Sequence, residues 1–309
     1  MQGRAGQGRA TPVPYTAALV HHPKAACFII ILHHLCAFDI AGKRVIAAWE
    51  AGHTLAMSNF FRSMGRSSRP KKSPTLPGMP FEAAQAQMLA NATGGHNVGL
   101  NGKALYMCNP FVRSALIKGS FKTIVALPKY VDPKEWVAVN LFDFFNNLNQ
   151  FYGVVTEFCT IQNNPTMSAG MGLDYTWIDQ NRKQVKLPAP QYIDYVMTWV
   201  GGLLSDEATF PTKASREFPQ TFLTTAKHVY KQLLRVFAHI YHAQFPYLVH
   251  LCCEGHFNSL FAHFIAFGAE FDLFNFKEFK GPQGAPYPGV CDLIEKWIEM
   301  GILDEAVLK

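Results

Sequence analysis

Long uninterrupted apolar runs are missing from this 309-residue sequence. The longest candidate, Ala25–Ile40, is broken by His33, His34 and Asp39, and it falls short of the roughly 20 apolar residues that a membrane-spanning helix requires. A secretory leader is not expected either, because this stretch starts late, behind Pro12, Pro14 and Pro23. Paired cysteines are also lacking. The seven present (Cys27, Cys36, Cys108, Cys159, Cys252, Cys253 and Cys291) are odd in number and include no CxxC pair. This excludes a disulfide framework and points to reduced thiols inside a cell. Charge is sparse, at 16% of residues against 49% hydrophobic, a balance that excludes a disordered chain and calls for a sizeable core.

The common catalytic signatures are absent as well: no GxGxxG, no GxxxxGK[ST], no HExxH and no GxSxG occurs. Lys103 follows a glycine-rich stretch (Gly94, Gly95, Gly99, Gly102) without the spacing of a phosphate loop, so that stretch reads as a flexible linker. The formal charge of +6 is unevenly spread. Residues 1–73 hold ten Lys/Arg against Asp39 and Glu50, leaving eighteen basic and twenty acidic residues beyond, a net of −2. A slightly acidic body does not suit specific nucleic-acid recognition, which needs cations clustered on the folded surface.

The chain divides into three parts. Residues 1–56 carry no motif. Residues 57–104 combine a basic Ser/Pro/Gly-rich tail with the glycine linker, and ordered structure is expected from about residue 105 to 309. In that body, Asp132-Pro133-Lys134-Glu135 supplies an N-cap, a proline at the first helical position and an acid in the first turn. A long helix should follow through 136–158. Tyr175–Trp177 and Val185–Leu187 alternate around Asp179–Arg182 as a small hairpin. Further helices are expected after Pro190, from Pro219 through Phe245, over 248–271 and over 290–302. Long helices with few strands indicate a mainly α fold, a helical bundle carrying one β-hairpin.

Two constellations could carry chemistry. His239 and His242, and His256 and His263, share helix faces by spacing. They read either as histidines satisfied within an aromatic-rich bundle or, for Cys159, His239, His242 and His256, as ligands of a metal-dependent hydrolase, the second reading. Glu135 and Asp143, eight residues apart and adjoined by Asp132 and Trp136, lie on one side of the long helix. They form either a solvated face or an acidic strip with an aromatic anchor for a basic partner helix.

The strings DPKEWVAVNLFDFFNNLNQFYGVVTEFC (132–159), PTMSAG (165–170), APQYIDYVMTWV (189–200), TFPTK (209–213), RVFAHIYHAQF (235–245) and HFNSLFAHFIAFGAEF (256–271) resemble the Mob family of kinase coactivators. NPFVRSALIKGSFKTIVALPKYVD (109–132) and NLNQFYGVV look most like its fungal Mob-two branch. The resemblance implies a Mob-type helical bundle for 105–309, with a long and largely disordered N-terminal extension. It implies no enzymatic activity, and docking of the basic N-terminal regulatory region of an NDR/LATS-class protein kinase onto Asp132, Glu135, Trp136 and Asp143. It further implies a role in morphogenesis, cell polarity and cell separation, in cytoplasm and nucleus and at sites of polarised growth. Residues 1–56 resemble nothing in the family, and Met57 begins a family-like opening, which suggests initiation there.

Two departures from the family pattern set further expectations. Cys159 and His239 fall on two of the four zinc-ligand positions that many members use, while Asn164 and Gln244 fall on the others. An amide is a poor zinc ligand, so no metal or other cofactor is expected. The family's phosphopeptide pocket uses three basic residues on one helix. Here Lys231 and Arg235 match, but Gln232 stands between them, which should weaken the clamp on phosphate.

Overall fold

The computed structural model describes residues 102–115, 120–170, 172–179, 181–213, 216–280 and 290–308. The expectations for residues 1–101, including the tail, the linker and the start at Met57, lie outside the described residues.

Asp132 caps the longest helix as its sequence demands. Its side chain accepts from the backbone N–H of Lys134 at 2.7 Å and of Glu135 at 3.3 Å, and helix α2 then runs Pro133–Val155 after a short α1, Phe121–Val125. Strands β1 (Thr176–Ile178) and β2 (Gln184–Lys186) pair antiparallel, with Trp177 opposite Val185. Helix α3 spans Ala189–Leu204 and α4 spans Phe222–His239. Short α5 (Phe245–His250), long α6 (Glu254–Glu270), short α7 (Phe276–Lys280) and α8 (Cys291–Glu299) follow. The bundle with a hairpin is therefore borne out.

Two helix boundaries differ from expectation. The helix after Pro219 does not continue unbroken through Phe245, because Ile240–Gln244 form a π-helical turn between α4 and α5. Pro246 supplies the reason: it lacks an N–H, and its ring would strike the His242 carbonyl in a regular helix, so the widened turn relieves both. The helix expected over 248–271 is likewise two helices. Cys252 adopts φ +56°, the N–H of Cys253 bonds Leu248 O and that of Cys252 bonds Val249 O, each at 3.0 Å. This is a Schellman end to α5, with cysteine at the position glycine usually fills.

The core is aromatic. Phe144 and Phe151 of α2 meet Phe264 and Phe257 of α6 edge-on, at 5.2 Å in each case. Phe237 of α4 packs against Phe257, Phe261 and Phe264. Buried polar groups tie the 111–114 segment to this bundle. Asn258 accepts from Tyr241 Oη and donates to the carbonyls of Phe111 and Ser114, and Trp297 Nε1 donates to Val112 O at 2.9 Å. The hairpin rests on α3 through Trp177, which stands edge-on to Tyr192 and Tyr195.

Gly268 marks the tightest approach of α6 to α4. Tyr230 lies stacked on Phe264 at 4.0 Å and donates its hydroxyl to Phe264 O at 2.8 Å, and a Cβ on Gly268 would overlap the Tyr230 ring and hydroxyl. Gly268→Ala should therefore cost about 1–3 kcal/mol through overpacking, read as a lowered urea midpoint. Gly202→Ala, where nothing lies within reach of a Cβ, should be neutral or stabilising.

Candidate protein-docking site

Packing one side of α2 into the core leaves Glu135, Val139 and Asp143 in a row on the other side, at i, i+4 and i+8. At 1.5 Å per residue the row is about 12 Å long. Glu135 is exposed, while Val139 and Asp143 are partly buried. Spacing alone had placed the two acids on one side; the structure adds that their depths differ. Burial pushes the Asp143 carboxyl up to about 7. Among the described residues it has no ion pair and no side-chain hydrogen bond. Its backbone carbonyl is used instead, accepting from Asn147 Nδ2 at 2.8 Å.

The other two expected docking residues are partly occupied. Asp132 is engaged in capping. Trp136 packs against the core and donates Nε1–H to Val125 O at 3.3 Å, pinning the end of α1 against α2, though its ring remains only partly buried. The strip thus reduces to Glu135 and Asp143 with Val139 between them and Trp136 beside them.

Lys231, Gln232 and Arg235 lie on α4 but do not form an open clamp. Lys231 is exposed, Gln232 is buried and Arg235 is partly buried. Arg235 Nη1 donates to Tyr192 Oη at 2.6 Å, and its guanidinium carbon lies 5.0 Å from the Tyr175 ring centroid. Gln232 Oε1 accepts from Tyr192 Oη at 2.9 Å, and Gln232 Nε2 faces His228 Nε2 at 3.4 Å. Sequence spacing missed Tyr175 and Tyr192 because they are 60 and 43 residues from Arg235 and carry no motif.

The four residues expected at zinc positions, Cys159, Asn164, His239 and Gln244, come together as two neutral pairs. His239 Nδ1 donates to Ser168 O at 2.8 Å, which leaves Nε2 to accept from the Cys159 thiol at 3.7 Å. Burial holds His239 down to about 4 and pushes Cys159 up to about 11, so both are uncharged at neutral pH. Gln244 Nε2 donates to Asn164 Oδ1 at 2.8 Å. A zinc ion needs thiolate or imidazole at these corners, and two amides bonded to each other do not fit it. His242 and His256 do not complete a site: no group of three or more His, Cys, Asp or Glu able to hold a metal occurs among the described residues. His263 is edge-on to Phe144 at 4.9 Å. The histidines and Cys159 named for the hydrolase reading are thus not brought together as a metal centre among the described residues.

The class of protein so defined is an aromatic-cored helical bundle with one docked hairpin and an acid–aliphatic–acid row along its longest helix. A family model described as Mob1/phocein family matches residues 113–282, more than half of the chain. The chain belongs to the Mob1/phocein family. It is 55% identical over 170 residues to the Maintenance of ploidy protein mob2 of Schizosaccharomyces pombe, covering 55% of this chain and 70% of that relative. It is 53% identical over 174 residues to the CBK1 kinase activator protein MOB2 of Saccharomyces cerevisiae, covering 56% and 61%. The Candida albicans protein of the same description is 46% identical over 202 residues, covering 65% and 62%. The chain thus spans under two thirds of the length of those last two relatives. Among the described residues no helix is long and apolar enough to cross a membrane.

Two measurements follow from this geometry. The unfolded chain releases the Asp143 proton near 3.8 and the folded chain near 7, so Asp143 removes stability as pH rises through that window. His239, depressed when folded, acts in the opposite sense between about 4 and 6.5, so the two partly cancel in the unaltered protein. Asp143→Asn isolates the first effect: its stability advantage in urea unfolding should grow from pH 4 to 7 and reach on the order of 2 kcal/mol. An advantage constant with pH would show that the carboxyl is well solvated. Separately, Asn164→Cys with Gln244→His should replace the amide pair by two zinc ligands, bind one zinc by elemental analysis and raise the melting midpoint. Failure to bind zinc at saturating metal would place the four positions too far apart.

Proposed function

We propose that this protein is a non-catalytic coactivator that binds the basic N-terminal regulatory region of an NDR/LATS-class protein kinase and promotes its activation. The observation that carries this reading is the Asp143 carboxylate, partly buried and without a cation among the described residues. Such a group is costly to keep ionised, and an Arg or Lys delivered by a partner helix would restore its charge. Glu135 would take a second cation about 12 Å away, with Val139 and the Trp136 edge meeting apolar residues between them. The names of the Saccharomyces and Candida relatives, CBK1 kinase activators, support a kinase partner. The same reading places the protein in morphogenesis, polarity and cell separation, in cytoplasm and nucleus, with no resident metal or other cofactor. The Lys231–Gln232–Arg235 group would hold a phosphothreonine peptide weakly, because Arg235 is already engaged by Tyr192.

Glu135→Lys with Asp143→Lys tests the reading. The double variant should keep its helical circular dichroism, lose binding to the N-terminal segment of CBK1 kinase and fail to stimulate that kinase. Removing one partner of a desolvated charged contact costs about 2–5 kcal/mol, so the loss should far exceed what salt screening alone produces. Undiminished binding across a range of salt would reduce the row to a solvated face.

A further inference from the structure

Immediately before α2, the chain makes a tight turn that breaks the usual residue rule. Val131 N–H bonds Pro128 O at 3.2 Å, and Tyr130, the third residue of the turn, has φ +70° while Lys129 is not in the positive region. This is the pattern of a type II turn, whose third position calls for glycine or asparagine because other side chains are strained there. A tyrosine occupies it, and the ring is 92% exposed. Among the described residues nothing repays the strain within the fold: the ring's one recorded interaction is with its neighbour Lys129, whose Nζ stands 5.0 Å from the centroid. Leu127, 42% exposed, lies on the same loop.

Position gives this exposed ring a use. Asp132, two residues on, caps α2, so the turn stands at the N-terminal end of that helix, the end at which Glu135 begins the row. A partner helix laid along the row with cations for Glu135 and Asp143 would bring its next basic residue toward the turn. Lys129 already holds an ammonium over this ring at 5.0 Å; being exposed and flexible, it can yield to an Arg guanidinium, which stacks better than an ammonium on an aromatic face.

We infer that Tyr130 is a partner-contacting anchor, held outward by its strained turn to receive an Arg or Lys of the basic helix that docks on α2. The inference rests on the docking function proposed above, and the two fail separately. Tyr130→Gly removes the ring and suits the turn, so it separates contact from structure. Its thermal midpoint should be no lower than that of the unaltered protein, while affinity for the N-terminal segment of CBK1 kinase falls about fivefold or more. Tyr130→Phe keeps the aromatic face and should bind within about twofold of the original, since the cation contact uses the ring and not the hydroxyl. If Tyr130→Gly binds as well as the original while Glu135→Lys with Asp143→Lys abolishes binding, the docking row stands and Tyr130 is no anchor. A lowered midpoint for Tyr130→Gly would also overturn the inference, because the residue would then be serving the fold. If the double lysine variant itself binds normally, the docking function fails first.

Discussion

Phe264 is held from two sides: Tyr230 stacks on it at 4.0 Å, and Phe144 meets its edge at 5.2 Å. That contact joins α4, α6 and α2 through one ring, and much else depends on it. Because Phe144, Leu148 and Phe151 must face this cluster, the rotation of α2 about its own axis is set. Residues 135, 139 and 143 are then obliged to lie away from the core. Gly268 permits the approach by leaving room for the Tyr230 ring, and the Tyr230 hydroxyl is satisfied by a backbone carbonyl instead of water. The outward presentation of the acidic row is thus a consequence of core packing, with no separate device needed to orient it.

The residues around His239 and Arg235 illustrate a second consequence of burial. A polar group removed from water must find a partner or lose its charge. Around His239 both happen: one imidazole nitrogen bonds Ser168 O, the other meets a neutral thiol, and the two amides bond each other. Around Arg235 the cation is retained but spread over Tyr192 and Tyr175. In both places side chains that could serve an external ion are satisfied internally. Asp143 is the contrast. Its carboxyl is buried enough to shift but is given no internal partner among the described residues, which is why the proposed docking rests on it and not on the basic cluster on α4.

Most of the architecture was legible because the helix starts carry local chemistry. Asp132-Pro133 and Pro190 stand where capping and fixed φ would put them, and the hairpin differs from its expected strands by a single residue. The helix breaks were less visible. The π turn at Ile240–Gln244 leaves the apolar pattern intact, and Pro246, which agrees with the expected end at Phe245, does not itself show that the preceding turn is widened. The Cys252 break lacks the glycine that marks such ends, so nothing local announced it. For the site, the eight-residue spacing of Glu135 and Asp143 located the row but could not give depth, since depth depends on neighbours far away in sequence. The commitment of Arg235 to two tyrosines was hidden for the same reason.

Depth also makes the two ends of the row unequal. Glu135 is exposed in the first turn of α2, where a carboxylate is favoured by the helix dipole and well hydrated. A cation brought there gains little, because an exposed pair is screened and its water must be partly surrendered. Asp143, one helical turn beyond Val139, has already lost much of its water before any partner arrives. The desolvation cost of ionising it falls on the free protein, so a matching cation recovers that cost on binding instead of adding to it. Under the proposed docking, a partner would therefore gain most by placing its best-formed cation at Asp143, and Glu135 would act on encounter and orientation. Reversing the charge at Glu135 turns an attraction into a screened repulsion, whereas a lysine at position 143 puts an ammonium where the bundle already denies it water.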